Sequence, residues 1–337
     1  MTEERDLELL RQADPVPAGD PRWADRPLDA RAEHALRRLM RPAPARRHWR
    51  ARRLVPAGVA AAVAVTAVLA FTLSGAGSAP AVAAPVALRP EAGSPAVPLA
   101  DIARAARDAA AAGGDTAPGT RGGTHLMSWS MSMEEGPGAR PPVTVPEERL
   151  TRWNADGSGT ELVVATDPLH PGAPVITDPG GAPRTVADGK VLHRASYPPG
   201  TLPPYGLSGS EPPHDAAEWR GYLRDVYGCA CTRTQDLLDV LPSLLGDWTP
   251  GVRDIAAIDT LLAAAKDLRP VGAITDRLGR PGQAYVLDTG VTRIMVILDP
   301  RTGGVLGIET TFTMARAEYR VRAGDVMSYE AWIRDAK

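Results

Sequence analysis

Residues Leu54 to Leu73 read LVPAGVAAAVAVTAVLAFTL, twenty positions without a charge. A helix rises about 1.5 Å per residue, so this run extends about 30 Å, the thickness of a bilayer's hydrocarbon core. Its five valines, three leucines and one phenylalanine each favour insertion by roughly 0.3–0.6 kcal/mol. Pro56 falls in the first turn, where a missing N–H costs nothing. The run predicts a transmembrane helix over 54–73.

Flanking charge sets its direction. Residues 37–53 hold eight arginines and no acid, and Arg46, Arg47, Arg50, Arg52 and Arg53 stand at the very edge of the run. Such a cluster stays in the cytoplasm. Residues 1–53 are therefore expected inside, and residues 74–337 outside, on a single-pass protein of the cell membrane with membrane lipid as its first partner. Two blander readings compete. A cleavable signal peptide has an apolar region of only about 7–15 residues near the chain start, whereas 53 residues precede this one. A buried Ala-rich core helix would not need the arginines.

The inner segment carries one element of interest. Residues 1–36 contain nine acids and five arginines. Leu28–Met40 then places Leu28, Ala32, Ala35, Leu36 and Leu39 on one helical stripe. Thirteen residues make a marginal helix alone, so Leu28, Ala32, Leu36 and Leu39 are expected either to contact a cytoplasmic partner or to rest on the membrane surface. A solvated, fraying helix is the plain alternative.

Outside the membrane, residues 74–98 are mostly Gly, Ser, Ala and Pro and are expected to form a flexible linker. Residues 99–337 then alternate in period. Leu99, Ile102, Ala106 and Ala109/Ala110 share a helical side up to about Ala112. From His125 the period falls to two, with Met127, Trp129, Met131 and Met133 facing a core. Thr144–Trp153 and Thr160–Thr166 flank the turn AsnAlaAspGlySerGly, which predicts a hairpin. Pro-rich loops are expected across 167–213. Helices follow over 215–227, 234–245 and 252–268. Strands follow over 271–275, 283–287, 291–298 and 305–313, with a further pair near 317–321. This order predicts an α+β fold with an antiparallel meander. It is also compatible with the curved half-barrel of lipoprotein-carrier domains.

Motifs that carry chemistry are few. The chain has no HExxH, no Gly-x-Ser-x-Gly and no phosphate-binding loop set between a strand and a helix. No catalytic, cofactor-binding or metal-binding residue is assigned, and no enzyme activity is expected. Residues 74–337 hold 31 acids against 25 bases, so direct nucleic-acid binding is not expected either. Cys229-Ala-Cys231 is the unusual constellation. Disulfides persist outside the cytoplasm, and a ring this small contributes little loop-closure entropy. An inert local disulfide at a helix end, an intermolecular bridge, and a redox or metal role with His214 all remain open. Trp129, Trp153, Trp219, Trp248 and Trp332 read as core residues, because the chain has only two phenylalanines. His125, His170 and His193 are dispersed.

Three stretches carry a family resemblance: ArgTrpAsnAlaAspGlySerGly (152–159), ValGlyAlaIleThrAspArgLeuGlyArgProGly (271–282) and LeuAspProArgThrGlyGlyValLeuGly (298–307). With the N-terminal layout, they make the chain resemble a family of actinobacterial single-pass membrane proteins to which no function is assigned. The resemblance implies a gene neighbourhood with extracytoplasmic-function sigma factors, hence a cytoplasmic sigma factor as partner. The layout is also similar to that of anti-sigma factors. The zinc-containing form of those proteins needs paired Cys, and residues 1–53 have none. The functional expectation is therefore an extracytoplasmic binding or sensor domain of anti-sigma-like type, with an outer ligand not identified by the sequence. A carrier or adaptor for lipid or cell-wall material is the alternative, and a thiol redox protein using Cys229 and Cys231 is the third.

Overall fold

The computed structural model describes residues 84–113, 123–136, 138–154, 156–180, 182–200 and 212–333. The expected membrane helix, its arginines and the Leu28–Leu39 stripe lie outside these residues. Among the described residues no helix is long and apolar enough to cross a membrane.

The described chain is α+β. Helix α1 (Leu99–Ala111) leads into strands β1 (Thr124–Ser132), β2 (Val143–Trp153) and β3 (Gly159–Ala165). Short strands β4 (Val175–Thr177) and β5 (Arg184–Val186) precede β6 (Lys190–Tyr197). Helices α2 (Ala216–Tyr227), α3 (Thr234–Asp247) and α4 (Val252–Ala263) follow. The chain ends in β7 (Arg269–Thr275), β8 (Pro281–Asp288), β9 (Thr292–Leu298), β10 (Val305–Phe312) and β11 (Val326–Trp332).

Nine strands form one antiparallel sheet in the order β6-β3-β2-β1-β11-β10-β9-β8-β7, and β4 pairs with β5 alone. Two meanders, one from each end of the domain, are thus joined through β1 and β11. The hairpin expected around 154–159 joins β2 to β3, with Asn154 N–H donating to the Ser158 carbonyl at 2.8 Å.

The helices cover one face of the C-terminal meander. Tyr285, Leu287, Ile294, Val296 and Leu298 pack there against α2, α3 and α4, together with Trp219, Leu241 and Leu262. Alternate residues of the same strands, Ala284, Val286, Met295 and Ile297, point to the opposite face and join Met127, Trp129 and Tyr329. A strand buried on both faces reads as a continuous apolar run, as IleMetValIleLeu in β9 does. Helix α4 is buried nearly all round. Its first turn is closed by Asp254, which accepts from Gly251 N–H at 2.9 Å.

Several elements depart from expectation. The segment 86–98, assigned by composition to the flexible linker, is integral to the fold. Val86 bridges Asp325, Glu91 N–H donates to Ala273 O at 2.8 Å, and Ser94 Oγ accepts from Ala273 N–H at 2.9 Å. Its small apolar residues fit closely on a sheet face, which composition alone cannot distinguish from a spacer. The 167–213 stretch holds β4, β5 and β6. Strand β6 is an edge strand with both faces largely exposed, so it lacks apolar alternation. Near 317–321 lies a 3₁₀ turn closed by an Arg316–Val321 bridge rather than a strand pair. The closing strand is β11, where Ser328 and Glu330 interrupt the apolar pattern. Helix α4 ends at Ala263 rather than Leu268, yet Leu268 is still buried through successive turn bonds.

Candidate functional site

The chain wraps round the β7 edge of the sheet. Residues 86–90 cross the face opposite the helices, the turn at 91–94 covers the backbone of β7, and Val97 then accepts a hydrogen bond from Tyr285 Oη at 3.0 Å on the helix side. An open sheet edge invites pairing with another chain, and this turn occupies it. Gly272, at φ +118°, is required here, because a Cβ would stand 2.5 Å from Ser94 Oγ.

Between this strap and the sheet lies a cleft of about 590 Å³. Its floor follows from strand register. Arg269, Val286, Met295, Glu309 and Tyr329 are successive partners across β7, β8, β9, β10 and β11, and the row continues to Trp129 on β1. Cross-strand partners share a face, so this row runs from a charged rim over an apolar floor to a buried carboxylate. Val271, Phe312 and Leu88 add apolar wall. Arg293 and Asp288 pair in the neighbouring row.

At the inner end, Glu309 is 1% exposed. Its Oε1 accepts the Leu88 N–H at 2.8 Å, and its Oε2 is paired with Arg277. Arg277 also donates to the Val86 carbonyl at 2.8 Å and lies over the Tyr329 ring. One buried ion pair thereby fastens the strap at one carbonyl, Val86, and one amide, Leu88. Burial pushes the Glu309 carboxyl up, opposed by Arg277 and by the Leu88 N–H.

At the outer rim, Asp288 receives Arg293 Nε at 2.7 Å and Arg269 Nη2 at 2.6 Å. Those bonds, Arg293 first, hold its carboxyl below the usual range. Arg89 is exposed on the strap and makes no ion pair among the described residues. Three arginines against Asp288, with Glu91 the next acid along the strap, leave the mouth net positive.

The helix-side face of the N-terminal meander is polar instead. Glu330, Ser128 and Glu147 are successive partners across β11, β1 and β2, and Arg149 stands one row away. Arg149 pairs with Glu161, which also accepts from Tyr197 Oη at 2.8 Å. Burial raises both Glu147 and Glu330, with Arg149 opposing.

The residues singled out by sequence fall elsewhere. Cys229 and Cys231 are disulfide-bonded with Cα atoms 5.0 Å apart. They follow α2 directly, after Gly228 ends it in the left-handed region and Cys229 N–H donates to Leu223 O at 3.1 Å. Cys231 is buried in the main core. His214, considered as a metal partner for that pair, instead shares a 3.0 Å hydrogen bond with Asp254. No group of three metal-ligating side chains occurs among the described residues. Of the tryptophans, Trp129, Trp219, Trp248 and Trp332 are buried as expected, and Trp153 is half-buried against Tyr197.

The cleft itself was not apparent from the sequence. The Asp288–Arg293 pair across the AspThrGly turn was the available signal, since a hairpin places those two positions opposite each other. Compared with known protein families, curated proteins and solved structures, the chain gives no match.

Proposed function

We propose that the chain is a single-pass membrane protein whose α+β domain binds a ligand outside the cytoplasm, in the cleft beneath the strap. In this reading residues 54–73 span the cell membrane and residues 1–53 signal inside, in the manner of an anti-sigma factor, through Leu28, Ala32, Leu36 and Leu39. One observation carries it. The strap at 86–90 forms a wall of the cleft and is joined to the charge-free run by only a dozen residues of chain. A ligand pressing on the strap therefore acts on the polypeptide closest to the membrane, which is what a sensor needs and a passive tether does not.

A carrier reading shares the same cleft but needs no inner partner. The test uses the full chain in its own membrane. A phosphatase reporter that matures only outside the cytoplasm, fused after Lys337, is expected to be active, and the neighbouring sigma factor is expected to co-purify with the chain. That co-purification is expected to disappear in Leu36→Ala/Leu39→Ala and to persist in Glu33→Ala. An inactive reporter overturns the topology. An active reporter without a bound sigma factor overturns the signalling role and leaves the carrier.

A further inference from the structure

We infer that the cleft takes a compact anionic amphiphile, with a carboxylate or phosphate head at Arg89, Arg269 and Arg293 and a single apolar tail along Val271, Val286 and Met295. This inference rests on the reading of the cleft as the ligand site. The argument begins with charge. Arg269 and Arg293 both turn to Asp288, and one carboxylate balances only one of them. Arg89 comes to the same mouth from the strap. An arginine fork makes paired, charge-assisted hydrogen bonds to a carboxylate or phosphate, so an acidic group completes this rim. Glu309 does not offset it, because its charge is already matched by Arg277.

The tail follows from the register. From β7 to β10 the row passes Val286 and Met295 before reaching Glu309. Three strand spacings of about 4.8 Å set Arg269 and Glu309 roughly 14 Å apart, so the apolar stretch between those charged ends takes an acyl chain shorter than that separation. A volume of about 590 Å³ falls within the range of pockets that hold a small ligand, about 300–1,000 Å³. The buried Glu309–Arg277 pair closes the inner end and disfavours a second charge there. The head is thereby directed outward and the tail inward. A cation would meet the surplus arginine charge at the rim, and an uncharged amphiphile would leave it unmatched.

The test is photo-crosslinking of the full chain in nanodiscs of zwitterionic lipid, with a diazirine-bearing decanoate and peptide mapping. Labels are expected on the peptides containing Val271 and Met295. Octyl phosphate is expected to compete, whereas octanol and octyltrimethylammonium are not. Arg89→Gln, a change at an exposed residue, and Arg293→Gln are each expected to lower labelling by about tenfold, the effect of one lost charge-assisted contact. Val271→Trp is expected to abolish it by filling the cleft from its wall. If octanol competes as well as octyl phosphate while the label stays in the cleft, the anionic class is overturned and the cleft stands as a site. If the label lies on other surfaces and is indifferent to Val271→Trp, the cleft itself is overturned as the ligand site.

Discussion

The backbone N–H of Leu88 donates to Glu309 Oε1 at 2.8 Å across 221 positions of sequence. Through that bond a carboxylate in the middle of the sheet holds the segment leading back toward the N-terminal region. The same carboxylate is paired with Arg277, whose side chain is 5% exposed. Removing one partner of a buried pair leaves the other charge uncompensated, at a cost of about 3–5 kcal/mol.

Glu309→Ala is therefore expected to lower the unfolding free energy by an amount of that order. It should also speed hydrogen exchange at Leu88 more than at Met295 in the centre of the sheet. Glu309→Gln keeps an acceptor for Leu88 and should protect that amide better than Ala does. Equal exchange at Leu88 in both variants would mean that the strap is held by its other contacts alone.

The disulfide should behave differently from its apparent prominence. Its ring encloses a single intervening residue, and the loop-closure contribution falls with ring size. The α2 terminus beside it is already fixed by the Gly228 and Cys229 backbone bonds. Thermal melts with and without reductant are expected to nearly coincide. A drop of many degrees on reduction would assign the bridge a structural role.

Two glycines in hairpin turns separate close packing from backbone freedom. Gly303 has φ +77°, and a Cβ there would stand 1.8 Å from Asp259 Oδ2, within the α4 and α1 packing. Gly290 has φ +91° with nothing within 4 Å. Gly290→Ala should cost only the left-handed backbone penalty, about 1–2 kcal/mol. Gly303→Ala adds overpacking of about 1–3 kcal/mol, so its denaturation midpoint should be clearly the lower of the two. Equal midpoints would mean that Asp259 and α4 move aside freely.

Legibility in the sequence followed local periodicity. The α1, α2 and α3 positions and the β8–β10 meander were readable because their apolar spacing repeats over at least two turns or four strand positions. Strand β6 was not, because an edge strand with exposed sides has no such pattern. The strap departs from the linker expectation for a related reason: Pro85, Ala87, Leu88 and Pro90 have linker composition, and contacts with residues as distant as Arg277 and Glu309 make them structural. The cleft required register between β7, β8, β9 and β10, which depends on a bulge between Pro270 and Gly272 that no propensity reveals. Without that register nothing brings Arg269 to the Asp288–Arg293 pair.

The last prediction concerns the polar half of the sheet. Glu147 and Glu330 flank Ser128 in one cross-strand row, and burial raises both carboxyls above their ordinary value, with Arg149 only partly opposing. The other charged groups beside them on this face are Glu161, already paired to Arg149, and His193, whose Nε2 lies 4.0 Å from Glu161. A carboxyl raised in the folded state binds its proton more tightly there than in the unfolded chain. Its contribution to stability is full below the unfolded value and declines as pH rises through the folded one. Asp288, Asp188 and Asp236 have the opposite sign, so the whole-domain curve is a sum and only a difference isolates this pair. Glu147→Gln/Glu330→Gln stays neutral at every pH. The double variant should therefore gain stability relative to the wild type as pH rises from about 4.5 to neutrality, the window just above the ordinary carboxylate value. Urea midpoints of the two proteins across that range give the test. A difference that does not change with pH would mean that both glutamates titrate as they do in water, and that solvent or a cation reaches this row.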